Sequence, residues 1–160
     1  MEKPSVIHST FVVERAYPAA PERVFAAFAD PASKRRWFVE TSGHEVEHYE
    51  MDFRAGGREH TRFRFRKPGT PVHGLTCVND AGYLDIMPNR RLVMASTMAV
   101  DGRCISASLV TVELLPSSAG TDLILTHQSA FFEGSDGPEM REAGWRELLS
   151  RLHTAMEPRT

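Results

Sequence analysis

The sequence predicts an α+β domain: a curved antiparallel sheet of about six to seven strands around one long C-terminal helix, with two short helices after the first strand. Three observations predict it. Period-two alternation of apolar and polar residues runs through the middle of the chain, tight-turn residues punctuate that region, and helical three-and-four spacing is confined to a segment near each end. Helices segregated from strands argue against repeated βαβ units, and short turns between strands imply antiparallel pairing with one covered face.

The first strand reads from Thr10 to Tyr17 and stops at Pro18 and Pro21, which cannot continue a ladder. Pro21 suits a first helical turn, and Val24, Phe25 and Phe28 then gather on one face. Asp30-Pro31 reads as an N-cap followed by a first-turn proline, so a second short helix runs through Lys34 and Arg35 and delivers Trp37 and Phe38. Strand texture begins at Val46. Its clearest stretch alternates Thr61, Phe63 and Phe65 with Arg62, Arg64 and Arg66. Gly56-Gly57 and the Lys67 to Pro71 stretch bracket it with turn chemistry. Further strands read as Leu75–Met87, Arg91–Met98, Cys104–Leu115 and Asp122–Phe131, with Asp101-Gly102 a tight-hairpin signal. The last helix is expected to start at an Asp136 cap with Glu139 as its reciprocal partner. Met140, Gly144, Trp145, Leu148, Leu149, Leu152 and Met156 then form its apolar face, and Arg141, Glu142, Arg146, Glu147 and Arg151 the solvent face.

Residues 1–160 are read as one domain with its core at about 10–156, a size that buries roughly 70% of the unfolded surface. With 41% hydrophobic and 25% charged residues, the composition is that of an ordinary globular chain. A net charge of -2 and a pI near 6.4 provide no general field for nucleic acid or an anionic membrane, so neither is expected as a partner. Neither a signal-peptide core nor a run of membrane-spanning length is present, and a cytoplasmic location is expected. Cys77 and Cys104 lack metal-site spacing and read as two buried, reduced thiols.

The string His44-Glu45-Val46-Glu47-His48 satisfies HExxH, which on a helix would place two imidazoles one turn apart for zinc. Here it opens a strand. The two histidines would then point the same way but sit about 13 Å apart, too far for one metal, so no metal site is expected. The Arg58, Arg62, Arg64, Arg66 and Lys67 stripe reads as a solvated outer face, with Phe63 and Phe65 turned away from it. Tyr83 and Asp85 are expected on an exposed face opposite Leu84 and Ile86, and His127, in phase with Leu123, Leu125 and Phe131, points inward.

Several segments together resemble the activator homologues of the heat-shock-90 ATPase, in the START-like, birch-pollen-allergen-like superfamily. They are Pro21-Glu22-Arg23-Val24-Phe25-Ala26-Ala27-Phe28, Asp30-Pro31, Arg36-Trp37-Phe38, Phe53-Arg54-Ala55-Gly56-Gly57-Arg58, Tyr83-Leu84-Asp85-Ile86, Pro88-Asn89-Arg90-Arg91-Leu92-Val93 and Gly144-Trp145 with Leu148-Leu149. The resemblance spans about Phe11 to Met156 and implies a helix-grip fold whose sheet and long helix enclose an apolar cavity. It implies binding of an apolar or lipid- or polyketide-like small molecule, with a cyclase- or aromatase-type cavity enzyme as the alternative and a chaperone-interacting domain as the third reading. The family's co-chaperones carry a second domain for which this sequence has no room, so a chaperone partner is not expected. A homodimer through a sheet edge or face is compatible with the pattern.

Trp37, Phe53, Phe63, Phe65, Met94, Met98, Phe131, Trp145 and Leu149 are the residues expected at the cavity or its mouth, with His127 as an inward polar group. The same residue types also fill an ordinary core, and the sequence leaves both roles open. No cofactor is expected and no catalytic residue is assigned, because no nucleophile elbow, phosphate-binding loop or dinucleotide fingerprint occurs.

Overall fold

A computed structural model describes residues 2–156. The chain forms β1 (Ile7–Tyr17), α1 (Pro21–Ala29), α2 (Pro31–Lys34), a π-helical turn (Arg35–Val39), β2 (His44–Met51), β3 (Arg58–Phe65), β4 (Thr76–Met87), β5 (Arg91–Val100), β6 (Arg103–Ser117), β7 (Gly120–Phe131) and α3 (Pro138–Ala155). The seven strands make one antiparallel sheet in the order β1-β7-β6-β5-β4-β3-β2, and with α3 this is the helix-grip arrangement expected from the sequence.

Turn chemistry acts where the sequence places it. Asp101 and Gly102 both adopt positive φ, 48° and 81°, as a two-residue hairpin matched to the strand twist requires. Gly120, with φ 143°, opens β7 so close to β1 that an added Cβ would lie 2.3 Å from the Tyr17 carbonyl oxygen. The N-terminal helices also form as read: Asp30 caps α2 by accepting from the Ser33 N–H at 3.0 Å, with Pro31 in its first turn. Beyond it the chain widens into the π turn, closed by Glu40 N–H to Arg35 C=O at 2.8 Å. That turn drives Trp37 inward, where its indole N–H donates to the Ala27 carbonyl at 2.8 Å and its ring meets Phe28 edge-on.

Three bulges change faces that plain alternation misassigns. Leu84 is the extra residue between Tyr83 and Asp85 in the pairing of β4 with β5, so Tyr83 stays on the inner face at 1% exposure while Leu84 is 59% exposed. Ile86 packs onto the core, and Asp85 pairs with Arg91 at 2.7 Å. The exposed position expected of Tyr83 is therefore corrected, whereas Asp85 does face outward. A second bulge at Glu47 puts His44 against Phe63 on the inner face and His48 beside His60 on the outer face, so the HExxH histidines do not point the same way. Among the described residues no His, Cys, Asp and Glu group could hold a metal. The third bulge, between Met98 and Ala99, leaves Cys104 exposed. Only Cys77 is the buried thiol expected of both, and both cysteines are free.

The α3 helix differs from expectation at its N-terminal half. Its N-cap is Gly137, without a side-chain hydrogen bond, and Asp136 pairs with Arg141 instead of capping. Arg141 turns inward from the face read as solvent-facing, while Met140 is 67% exposed. The C-terminal half anchors the helix through buried Leu149, Leu152 and Met156. Tyr17 Oη donates to the Leu149 carbonyl at 2.8 Å, and Arg151 donates to the carbonyls of Trp37, Arg36 and Glu40 at 3.1, 2.9 and 2.6 Å.

Trp37 is fully buried, whereas Trp145 is only partly so. Trp37→Ala should therefore cost roughly 3–5 kcal/mol in urea denaturation, and Trp145→Ala clearly less. Equal losses would show that Trp145 is a core residue rather than a wall of an opening.

Candidate functional site

The inner face of the sheet carries the candidate site, and strand register orders its residues. One cross-strand row runs Tyr83, Met94, Val110, His127 and Phe11. The neighbouring rows contain Ala81, Ser96, Ser108 and Ser129, then Asn79, Met98, Ser106 and Phe131. Asn79, Ala81, Ser96, Met98 and Ser108 remain partly exposed although they lie on the side that α3 covers elsewhere. The space between sheet and helix is thus closed over Leu92, Val112, Leu114, Leu123 and Leu125 and opens toward these rows.

Two charged clusters stand at opposite sides of that inner face. In the first, Lys34 of α2 and Glu59 of β3 form an ion pair at 3.1 Å, with their side chains only 2% and 5% exposed. Tyr49 Oη donates to the other carboxylate oxygen of Glu59 at 2.6 Å. The Lys34 ammonium lies 4.6 Å from the Phe38 ring centroid, a cation–π contact that replaces part of its lost hydration. Tyr83 faces the same carboxylate from β4, and its ring packs edge-on against Phe53 at 5.1 Å. Burial, then the Glu59 charge, and then the close approach of each hydroxyl to the Glu59 carboxylate hold the phenols of Tyr49 and Tyr83 well above the usual tyrosine range, so both keep their protons.

In the second cluster Arg141 reaches down from α3. It binds both carboxylate oxygens of Asp136, at 2.9 and 2.8 Å, donates to Ser106 Oγ at 3.0 Å, and lies 5.2 Å from the Phe131 ring centroid. Burial alone would raise the Asp136 carboxyl, but the hydrogen bonds and charge of Arg141 outweigh it and hold it below its ordinary value. His127, 1% exposed, stacks on Phe11 at 4.5 Å and stands 6.4 Å from Trp145. Its imidazole is lowered to about 4, first by burial and then by the Arg141 charge, so it is neutral at neutral pH. Burial pushes the nearby Cys77 thiol up to about 12, and it stays a thiol.

Most of the sequence-selected residues converge here. Trp37, Met94 and Leu149 belong to the central core, with Phe53 and Trp145 packed against it. Phe131 and Met98 lie under Arg141. Phe63 and Phe65 are set apart: they pack edge-on to each other at 5.1 Å beneath His44, at the β2–β3 side. Sequence reading missed Lys34, Glu59, Tyr49 and Arg141. Charged residues in short helices and alternating strands read as solvent-facing by default, and the one available signal was Glu59 sharing the phase of Thr61 and Phe63. Two open depressions are also present. One of about 380 Å³ is lined by Asp80, Ala95, Ser96, Thr97, Ala107 and Ser108, and one of about 400 Å³ is beside Met51, Asp52, Arg54 and Gly57.

The family model described as activator of Hsp90 ATPase homolog 1-like protein matches residues 18–157. The chain belongs to that family. A solved structure of a putative uncharacterized protein from Rhizobium leguminosarum is similar to this activator-homologue-like domain at 34% identity and TM-score 0.86, covering 94% of this chain and 95% of the other. A protein from Rhizobium loti is 46% identical with TM-score 0.83, over 96% and 100% of the two chains. The AHSA1-like protein from Aeromonas hydrophila shares the fold at 20% identity and TM-score 0.66, over 92% and 91%. No curated protein matches the chain. Among the described residues no helix of this family member is long and apolar enough to cross a membrane.

Two predictions follow from the site's electrostatics. Lys34→Met strands the Glu59 carboxylate without its cation and should lower stability by roughly 3–5 kcal/mol, whereas adding Glu59→Leu should recover much of that loss in the same denaturation assay. For His127, the unfolded chain takes up a proton near pH 6.5 and the folded chain only near 4. Stability is therefore fully present above about 6.5 and falls as pH drops toward 4, by up to roughly 3 kcal/mol. His127→Leu should flatten that stretch of the stability–pH curve, leaving the share of His44, which is lowered likewise by burial and Lys67.

Proposed function

We propose that this chain binds an apolar small molecule between the inner face of the sheet and α3. One observation carries the reading. Among the described residues, the buried side-chain polar atoms without a hydrogen-bond partner are Tyr83 Oη and His127 Nδ1, and both lie on the same inward row of the sheet. A buried polar group left unpaired costs roughly 1–3 kcal/mol, and a native structure that tolerates two on one row has a use for them. Met94 and Val110 separate them with apolar surface, and Trp145 stands beside His127. Three inter-strand steps make the row about 14 Å long, the reach of a drug-sized molecule.

The family membership supports a ligand-binding or cyclase-like domain of this fold, and the geometry favours binding over catalysis. Its most basic side groups are already engaged: Lys34 with Glu59, Arg141 with Asp136. Among the described residues no nucleophile with a depressed pKa faces the row, since Cys77 is held as a thiol and His127 is a weak base at about 4. Positioning without proton abstraction is what these groups can do.

Titration with a panel of apolar fluorophores tests this reading, together with native mass spectrometry of protein purified gently from its host to detect a retained molecule. Saturable uptake is expected, weakened about tenfold in Trp145→Ala, equivalent to about 1.4 kcal/mol. Absence of uptake across the panel, with no retained molecule, would overturn the proposal.

A further inference from the structure

We infer that the ligand of this site carries a neutral carbonyl oxygen and presents it to Tyr83, at the end of the row where Lys34, Glu59 and Tyr49 converge. The inference deepens the binding reading above and rests on it.

The inventory of donors and acceptors at that end is unequal. Glu59 supplies the acceptors, and each of its oxygens already takes one donor: Lys34 at 3.1 Å on one and Tyr49 at 2.6 Å on the other. The donors exceed what it takes. The Tyr83 hydroxyl faces the Glu59 carboxylate without a well-formed hydrogen bond to it, and the Lys34 ammonium, with three N–H groups, has Glu59 as its oxygen partner among the described residues and aromatic rings on its other sides. A ligand that completes this cluster must bring an acceptor, and one with few donors of its own.

Charge narrows the class further. The ammonium and carboxylate cancel within 3.1 Å, so the cluster as a whole offers no net charge to an ionic ligand. A ligand carboxylate would meet Glu59, and an ammonium would meet Lys34, each in a place where an extra buried charge has no compensating partner. A carbonyl avoids both penalties: it accepts from Tyr83 and carries no formal charge. Because the Tyr83 phenol keeps its proton through the accessible pH range, it is a permanent donor there. Phe53, edge-on to the Tyr83 ring at 5.1 Å, and Met94, its cross-strand neighbour, provide the apolar walls for the carbon skeleton behind that oxygen. The far end is a different environment, since His127 offers a neutral imidazole Nδ1 beside an arginine.

The dye prodan, an apolar naphthalene carrying a propionyl ketone whose emission moves to the red when its carbonyl accepts a hydrogen bond, tests this directly. Its alkyl analogue without the ketone serves as the reference. Wild-type protein should bind prodan with emission to the red of that in dry apolar solvent. Tyr83→Phe should bind it about tenfold more weakly, with blue-shifted emission, and should bind the alkyl analogue as the wild type does. The ligand-free variant should melt no lower than the wild type, because it loses a hydroxyl that has no well-formed hydrogen bond. Unchanged prodan affinity and emission in Tyr83→Phe would overturn the carbonyl inference while leaving the binding site in place. A clear loss of melting temperature in the free variant would also overturn it, by showing that the hydroxyl serves Glu59 structurally. If wild-type protein takes up neither dye nor analogue, the binding reading fails and this inference with it.

Discussion

The buried pair of Lys34 and Glu59 fixes the short helices against the inner face of the sheet. Lys34 ends a four-residue helix, and Glu59 lies on β3, 25 residues further along the chain. Removing two charges from water is costly, and their attraction offsets it only with close geometry and further hydrogen bonds. Those are provided by Tyr49 on the carboxylate and by the Phe38 ring at the ammonium. Once the pair is fixed, the π turn that follows Lys34 must place Trp37 under α1 and Phe38 toward α3, where it meets Trp145 at 5.6 Å. The pair thereby sets one wall of the inner face as well as its polarity.

The long helix obeys a complementary constraint. Its C-terminal half is locked by Leu149 and Leu152, by the Tyr17 hydroxyl, and by Arg151, which gathers three carbonyls at the end of the π turn. Its N-terminal half has no comparable apolar seam: Met140 and Gly144 face solvent, and Arg141 with Asp136 spans the gap to Ser106. A helix pinned at one end and resting on a polar contact at the other leaves the sheet partly uncovered where Asn79, Ser96 and Met98 lie. The opening is thus a consequence of how α3 divides its side chains.

The fold was largely legible because its signals are local. Pro21, Asp30-Pro31, Asp101-Gly102 and the Thr61–Arg66 alternation each act within a few residues, and each marks the element or turn expected of it. The site was legible only for its apolar part. His127 was placed inward correctly because β7 alternates without interruption, whereas Tyr83 was misplaced because the extra residue Leu84 resets the phase, and no composition signal announces a bulge of that kind. Lys34, Glu59 and Arg141 were hidden for another reason: a charge is buried only when a distant partner neutralises it, and that partnership is a property of the tertiary structure.

These two sources of concealment fall on the same surface. The bulge at Leu84 turns Tyr83 inward toward the carboxylate that Lys34 neutralises, and the lack of an apolar seam in the first half of α3 brings Arg141 toward His127. A sheet built for stability alone would fill the row between them with aliphatic side chains, as Leu92, Val112 and Leu125 do one step away. Instead the row ends in a phenol and an imidazole, both kept uncharged by burial, with Met94 and Val110 between. Local departures from plain patterning are tolerated where they serve something other than packing, and here they concentrate on the one face that the helix does not fully close.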